Sequence, residues 1–346
     1  MRAGRTGVTV TAVVVLAFTV AGCGGSTLAA KKLSLGHLPG VGRPAVLLGD
    51  MNTPEQFVIG ELYEAALTAQ GYTVALDRNI GTASVRSAAL GNGSLDIYPE
   101  YIGVWDRQVA GLTRRFRTLS AAYQAGLTYA RRQHLDLLKP TRFSDTGGLA
   151  VLTSYAIRHR IRTIANLRRV QGQLTIGVPL DFSAFASGLP AVDQAYSLRP
   201  HAVAPVNIGL QYIEMRLDQI QAAYVFTSDG QLSQPSYRLL QDPLHLFGFG
   251  NVVPVISDKA IAAEGPALAA TINRVDALLT TSAVRGLNAE VALGHHTPQN
   301  VAVEFLQGNG VLAPTVWPTT VTTTTTTTTV TTTTRTSTTP RRAKRR

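Results

Sequence analysis

The sequence has almost no cysteine: Cys23 is the single one among 346 residues. A lone thiol excludes a disulfide framework and a cysteine-rich zinc site, so Cys23 has to be explained by its position. Histidine offers no better set of ligands, because the adjacent pair His295 and His296 would point about 100° apart on a helix. The sequence therefore predicts no metal site and no cofactor.

The familiar catalytic motifs are missing as well. The sequence has no Gly-x-Ser-x-Gly elbow, no His-Glu-x-x-His motif, no Walker A loop and no dinucleotide fingerprint. Asp96, Glu100 and Asp106 lie near a predicted strand end and could serve as the acid and base of a hydrolase such as a glycosidase. Caps, turns and surface charges explain such clusters more simply, so the sequence predicts that the protein is not an enzyme.

Positive charge is concentrated at the two ends of the chain. The formal net charge is +11, but Arg2 and Arg5 precede an apolar run, and six basic residues lie between Arg335 and Arg346. Without those eight charges the rest of the chain carries about +3, too little for a basic groove that follows a phosphate backbone. The sequence therefore predicts no nucleic-acid partner.

Residues 1–22 have the features of a lipoprotein signal peptide. Two arginines are followed by an apolar run, residues 8–20, that is too short to span roughly 30 Å of hydrocarbon comfortably. The sequence Val-Ala-Gly-Cys that ends at Cys23 resembles a bacterial lipobox, which implies a diacylglycerol on the cysteine sulfur; an ordinary signal peptide with an incidental cysteine is the alternative. Two acyl chains suffice for stable anchoring. We expect a chain anchored to the outer face of the bacterial cell membrane, with residues 23–42 as a flexible tether.

Residues 316–346 form a tail that cannot bury a core. Threonine dominates the tail up to Thr339, and a basic cluster closes it. Such tracts are solvated and extended, and they often serve as stalks or carry glycans. The basic cluster could contact anionic lipid or cell-wall polymer, but a plain solvated tail is the simpler interpretation, and we predict no chemistry for it.

Strands and helices alternate through the body of the chain. Thr53, Pro54 and Gln56 have the N-cap, N1 and N3 positions of a helix, and Pro99 predicts the end of a strand. Short apolar runs predict strands at 45–48, 72–76, 95–98, 149–152, 174–178, 221–226 and 252–256. This alternation predicts an α/β protein with two lobes and a ligand cleft between them.

The lobes can be assigned to ranges of the sequence. Residues 43–147 would form the first part of lobe 1, and residues 148–252 would form lobe 2. The strand at 252–256 would bring the chain back, so that residues 253–315 complete lobe 1.

Two stretches carry a family resemblance, and weaker matches at 175–179, 188–190 and 209–212 keep the same order. Asp-Ile-Tyr-Pro-Glu-Tyr-Ile-Gly ends at Gly103, and Phe-Thr-Ser-Asp-Gly ends at Gly230. Both resemble motifs of the substrate-binding proteins of glycine betaine, choline and carnitine ABC importers. From about Val46 to Leu312, the resemblance implies the type II periplasmic-binding-protein fold and a quaternary-ammonium ligand, delivered to separate permease and ATPase subunits.

The ligand class explains why aromatic residues matter. A trimethylammonium group has no N–H to donate, so proteins hold it against ring faces at about 0.5 to 2 kcal/mol per contact. The resemblance implies cage positions for Tyr101, for Phe226 and, after a one-residue shift, for Phe249. At the crossover the chain keeps Thr146 but has glycine where the family has a tyrosine.

The resemblance also implies that two basic side chains of the family's ligand site are missing here. The family's lysine falls near Met51 and its arginine near Phe185, so a ligand carboxylate would lack a charged partner, at a cost of several kcal/mol. We therefore expect choline to be favoured over glycine betaine. Met51, Phe185, Phe226 and Phe249 could also line a site for another kind of ligand, or simply pack in the core.

These expectations combine into one hypothesis and one principal alternative. The hypothesis is an extracytoplasmic solute-binding lipoprotein that captures an osmoprotectant-like solute in its interlobe cleft for an ABC importer. The alternative is a protein with the same binding fold that serves as a sensory or cell-surface module with a different ligand. The altered cage and the Thr-rich tail motivate this alternative.

Overall fold

The structure is a computed structural model that describes residues 38–179 and 188–314. The predicted signal peptide, Cys23, most of the tether, Phe185 and the Thr-rich tail lie outside the described residues. The strands are β1 (Ala45–Gly49), β2 (Thr73–Asp77), β3 (Ile97–Tyr101), β4 (Leu135–Leu137), β5 (Gly147–Leu152), β6 (Thr175–Val178), β7 (Ala202–Pro205), β8 (Ala222–Phe226), β9 (Tyr237–Leu239) and β10 (Val252–Ser257).

Helices alternate with these strands. The α-helices are α1 (Pro54–Ala69), α2 (Ala83–Asn92), α3 (Ile102–Val104), α4 (Leu119–Arg132), α5 (Thr153–His159), α6 (Leu189–Tyr196), α7 (Gln211–Arg216), α8 (Asp258–Glu264), α9 (Pro266–Leu278), α10 (Thr281–Ala292) and α11 (Pro298–Gly308). A π-helical turn covers Trp105–Val109, and 3-10 helices cover Ile164–Gln173 and Gly230–Ser233. None of the helices in the described part of the chain is long and apolar enough to cross a membrane.

The strands form two sheets, one in each lobe. The first has the order β2-β1-β3-β10-β4, and the second has the order β7-β6-β8-β5-β9. In the first sheet β1 runs parallel to β2 and β3, while β10 runs antiparallel to β3 and β4. In the second, β5 runs antiparallel to β8 and β9. The predicted α/β class with two lobes is confirmed.

The helix α1 begins where the sequence predicts. The Thr53 side chain accepts a hydrogen bond of 3.2 Å from the backbone N–H of Gln56, and Pro54 occupies the first turn, where no intrahelical donor is needed. One face of α1 packs into the core of the first lobe with Leu62, Tyr63 and Leu67, all essentially inaccessible to solvent. This packing fixes the N-terminal end of α1 at the edge of the lobe.

The predicted strand break at Pro99 is wrong. Pro99 lies inside β3 and faces Pro254 of β10. On the other side of β3, β1 pairs only at the start of the strand, where Leu48 is opposite Ile97. The ladder therefore does not require the N–H that Pro99 lacks, and the strand continues to Tyr101.

Two segments connect the lobes, and we call them together the crossing: residues 144–147 leading out of lobe 1 and residues 248–251 leading back. The backbone N–H of Asp145 donates to the Gly250 carbonyl at 2.9 Å, and the Gly250 N–H donates to Ser144 Oγ at 2.9 Å. The two segments are so close that a side chain on Gly250 would overlap the Asp145 backbone. The crossing thus holds the facing ends of both sheets together.

Candidate ligand-binding site

A cleft of about 660 Å³ lies between the lobes, beside the crossing. Its size falls within the range of roughly 300 to 1,000 Å³ typical of small-molecule sites. Six aromatic side chains line it: Tyr101, Tyr212, Tyr224, Phe226, Phe247 and Phe249. Three carboxyl side chains line it too: Glu55, Asp145 and Asp229. A cleft lined by aromatic rings and carboxyl groups favours a positively charged ligand.

Glu55 is the centre of a hydrogen-bond network on the first-lobe wall. It sits in the first turn of α1 and is only 7% exposed. Tyr101 Oη donates to Glu55 Oε1 at 2.7 Å, and Asn288 Nδ2 donates to Glu55 Oε2 at 3.0 Å. Burial raises the pKa of Glu55, while its hydrogen bonds to Ser228, Tyr101 and Asn288 oppose that rise. The network satisfies the buried carboxyl and fixes the Tyr101 ring.

The network also joins the two lobes. The same Asn288 Nδ2, on α10, donates to the Ser228 carbonyl at 2.9 Å, just past the end of β8. Arg285, one turn earlier on α10, donates from Nε to the Thr227 carbonyl at 2.8 Å. These bonds tie α10 of lobe 1 to the strand-end segment of lobe 2 that lines the cleft.

Asp229 organises the second-lobe wall. It accepts a hydrogen bond of 2.7 Å from Tyr212 Oη and one of 3.1 Å from the backbone N–H of Phe226. Burial raises the pKa of Asp229 to about 6, and the hydrogen bond from Tyr212 opposes the rise. Near neutral pH this carboxyl is therefore mostly ionised, and it becomes protonated below about pH 6.

Three rings of the second lobe form an aromatic corner, made of Tyr224, Phe226 and Phe247. The centroids of Tyr224 and Phe226 are 5.6 Å apart with planes at 78°, and those of Tyr224 and Phe247 are 6.2 Å apart with planes at 60°. The edge-to-face contact of Tyr224 and Phe226 stabilises the two rings beyond simple burial. All three rings line the cleft, so the corner forms part of its wall.

The crossing contributes a third acid. Asp145 Oδ1 accepts a 3.3 Å hydrogen bond from the Ser228 N–H. Burial, followed by the nearby Glu55 carboxyl, raises the pKa of Asp145 well above its usual value. Beside it, the Thr146 N–H donates to Thr227 Oγ1 at 2.9 Å. Neighbouring acids in a buried site favour a ligand that brings positive charge.

The structure brings together four of the six residues that the sequence predicted for ligand contact. Tyr101, Thr146, Phe226 and Phe249 all line the cleft. Met51 is half-buried in the loop before α1 and is not among the described residues that line the cleft. Phe185 lies outside the described residues. Contact of any of the six with a ligand stays a prediction.

Sequence reasoning did not select the three acids as ligand groups, nor Tyr212, Tyr224 and Phe247. Glu55 and Asp229 were visible as a helix first turn and a strand-end residue, the places where α/β folds put ligand groups. Tyr224 lies inside β8 and has the appearance of a core residue. Only the tertiary arrangement shows that these groups share one cleft.

The carboxylates considered for hydrolysis are not arranged as an acid–base pair. Glu100 is completely buried, and Arg86 Nη2 donates to its Oε2 at 2.7 Å. Asp96 Oδ2 accepts from the Leu47 backbone N–H at 2.8 Å. None of Asp96, Glu100 and Asp106 is among the described residues that line the large cleft. Asp96 and Glu100 hold the first lobe together rather than face a substrate.

Two α/β lobes joined by a double crossing, with a ring-lined and acid-lined cleft between them, define a two-lobed solute-binding protein. The sequence profile of the substrate-binding domain of ABC-type glycine betaine transport systems matches residues 44–308. The chain belongs to this family. Because the family consists of solute-binding proteins, the prediction that the chain is not an enzyme is confirmed.

Relatives and solved structures agree with this assignment. The chain is 27% identical over 282 residues to a glycine-betaine-binding protein of Pseudomonas aeruginosa, covering 77% of this chain and 88% of that protein. It is 26% identical over 290 residues to the carnitine transport binding protein OpuCC of Listeria monocytogenes, covering 82% and 93%. A crystal structure of a glycine betaine/carnitine/choline ABC transporter protein superposes with a TM-score of 0.72 at 21% identity, covering 77% of this chain and 99% of that one. At that identity the superposition shows the fold.

Proposed function

We propose that the protein captures a quaternary-ammonium solute in the interlobe cleft and delivers it to the separate permease and ATPase subunits of an ABC importer. Choline is favoured over glycine betaine. The observation that carries the proposal is the meeting of aromatic rings from both lobes with three carboxyl groups, Glu55, Asp145 and Asp229, in one cleft. The names of the relatives support the ligand class, since they are described as binding glycine betaine or carnitine.

Rings and carboxyl groups both attract the cationic head of such a ligand, and carboxyl groups can also bind its hydroxyl. A ring face attracts the trimethylammonium group through its quadrupole, at about 0.5 to 2 kcal/mol per contact. A carboxylate adds a direct charge interaction, which is stronger in a cleft than in water. A ligand hydroxyl, as in choline, can in addition donate a hydrogen bond to a carboxyl oxygen. Tyr101 and Phe226, on opposite walls, supply rings, and Asp145 and Asp229 supply acceptors.

The same acids disfavour the carboxylate of glycine betaine. A ligand carboxylate placed near the ionised Asp229 would meet like charge in a poorly solvated site. Arg107 also lines the cleft, but its side chain is exposed, and exposed ion pairs contribute about 0 to 1 kcal/mol. The net electrostatic preference is therefore for a cation over a zwitterion.

Anchoring belongs to the same proposal. The lipobox-like sequence before Cys23 and the family's role in import support a lipoprotein on the outer face of the cell membrane. Metabolic labelling with an alkyne fatty acid in a bacterial host, with Cys23→Ser as control, tests the anchor. Label on the unaltered chain and none on the variant is expected; equal labelling of the two would contradict it.

Calorimetric titration tests the ligand assignment. The full chain, purified in detergent, is titrated with choline, glycine betaine and carnitine. We expect choline to bind most tightly and Tyr101→Ala to weaken it roughly 2- to 30-fold. Tyr129→Ala is the control, since Tyr129 packs on Trp105 away from the cleft. Tighter binding of glycine betaine would overturn the choline preference, and no binding of the three would overturn the ligand class.

A further inference from the structure

Gly147 and Tyr224 compete for one volume of space. Gly147 opens β5 opposite Phe226 of β8, and Tyr224 lies two residues back on β8, so it is the diagonal neighbour of Gly147 on the same sheet face. A methyl group on Gly147 would lie 2.7 Å from Cε2 and 2.8 Å from Cζ of the Tyr224 ring. The end of that ring occupies the space that any side chain at position 147 would require.

This placement brings Tyr224 to the cleft. The ring is only 7% exposed, yet it lines the cleft together with Gly147, Phe226 and Phe247. Its edge-to-face contact with Phe226 and its tilted contact with Phe247 fix it in the aromatic corner. The bare backbone of Gly147 supports the far end of the ring. Tyr224 is therefore held in one orientation from two sides.

We propose that Gly147 is a specificity-determining residue: the absence of its side chain lets the Tyr224 ring reach the cleft wall and contact the cationic head of the ligand. The inference rests on the proposed function, because a ring contact favours a cation through its quadrupole. A larger residue at position 147 turns the ring away and leaves an aliphatic surface in its place. The site then loses affinity for quaternary ammonium groups.

Alanine at position 147 moves the ring and leaves the backbone in place. Gly147 is not among the described glycines with a positive φ, so its backbone conformation accepts an L residue. The atoms that the new methyl group would meet belong to the end of the Tyr224 side chain. Rotation of that side chain relieves the overlap. Gly147→Ala is therefore expected to fold.

Gly148→Ala is a matched control. A methyl group on Gly148 would also meet a side-chain end, Leu239 Cδ1 at 2.9 Å. Gly148 is the next residue of the same strand and is not among the described residues that line this cleft. A general disturbance of β5 would affect both variants equally, whereas displacement of the cleft ring affects only Gly147→Ala.

The test is a double-mutant cycle on the full chain in detergent, with choline as the probe. Gly147→Ala and Tyr224→Leu are each expected to weaken choline roughly 2- to 30-fold, with no further loss in the double variant. Tyr224→Phe keeps the ring and is expected to bind within about 2-fold of the unaltered chain. Gly148→Ala is expected to bind unchanged.

Each other result overturns the inference. Unchanged binding by Gly147→Ala shows that the ring does not contact the ligand. A loss in Tyr224→Phe as large as in Tyr224→Leu shows that the hydroxyl, and not the ring face, determines affinity. Losses that multiply in the double variant show that Gly147 acts independently of Tyr224. Failure of Gly147→Ala to fold shows that more than the ring must move. If the unaltered chain binds no choline, glycine betaine or carnitine, the proposed function falls together with the inference.

Discussion

The first-lobe wall of the cleft is held by hydrogen bonds to one buried carboxyl, whereas the second-lobe wall combines hydrogen bonds to Asp229 with contacts between rings. Glu55 receives donors from Tyr101 and Asn288, so the orientation of the Tyr101 ring is fixed by directional bonds. The Phe226 side chain has no hydroxyl, so its ring takes its orientation from the Tyr224 ring and from the strand, although the Phe226 backbone N–H donates to Asp229. Directional bonds tolerate little change, while ring packing can readjust.

Hydrogen bonds and backbone contacts between the lobes also hold the two walls in register with each other. The Glu55 network reaches Ser228 of the second lobe through Asn288. On that side, a methyl group on Gly230 would lie 2.6 Å from the Ala289 backbone nitrogen, so α10 and the second lobe are in close contact. The polar wall therefore lies where the lobes touch.

The largest effect is expected from Gly250→Ala, which pushes apart the two crossing segments that hold the walls together. The new methyl group would overlap the carbonyl of Asp145 and lie 3.0 Å from the Asp145 nitrogen, and backbone cannot rotate away as a side chain can. We expect a loss of about 3 kcal/mol or more in the free energy of unfolding, measured by urea denaturation.

Gly286→Ala is the control for this prediction. Gly286 lies on α10, where a methyl group meets nothing within 4 Å. Alanine in a helix is expected to change stability by about 1 kcal/mol or less, in the stabilising direction. Equal unfolding midpoints for Gly250→Ala and the unaltered chain would show that the two crossing segments can separate at little cost.

The next largest effect is expected from Glu55→Gln. The amide can still accept from Tyr101, but its N–H₂ then faces the Asn288 donor, and the negative charge near the ligand is lost. An unsatisfied buried donor costs about 1 to 3 kcal/mol, so the free energy of unfolding is expected to fall by that amount. The lost negative charge is expected to weaken choline binding, measured by calorimetry, as well. Glu64→Gln is the control, since Glu64 is half-buried on the same helix, away from the cleft. Equal effects of the two substitutions would mean that α1, and not the network, determines affinity.

Local signals explain which parts of the fold the sequence could predict. The start of α1 was predictable because Thr53 and Pro54 act on their own helix. Strands β4, β7 and β9 have only three or four residues and were missed, whereas the equally short β6 was predicted because apolar residues alternate from Leu174 to Val178. Pro99 was misinterpreted because its tolerance depends on the neighbouring strands β1 and β10, which no local pattern reveals.

The residues of the candidate site also fall into those that local motifs predict and those that only the tertiary structure brings together. Tyr101 and Phe226 were found because each lies in a contiguous motif at a strand end. Asp145 escaped notice, since its position beside Glu55 and Asp229 depends on three segments that are far apart in the sequence. Tyr224 gained access to the cleft through the missing side chain of Gly147, an effect that needs the strand register to be seen.

The smallest expected effect is a pH dependence of choline affinity, and it arises from Asp229 on the second-lobe wall. Burial raises the pKa of Asp229 to about 6, and Tyr212, Glu55 and Arg285 face this carboxyl. The folded state holds this proton more tightly than the unfolded state does. The contribution of Asp229 to stability therefore falls as pH rises from about 4 to 6.

A cationic ligand prefers the ionised form of Asp229, so choline affinity is expected to rise up to about 10-fold between pH 5 and pH 7. Calorimetry across that range should show a flatter profile for Asp229→Asn and an unchanged one for Asp193→Asn, on α6 of the same lobe. Affinity that falls as pH rises would contradict a role for ionised Asp229 in holding the cation.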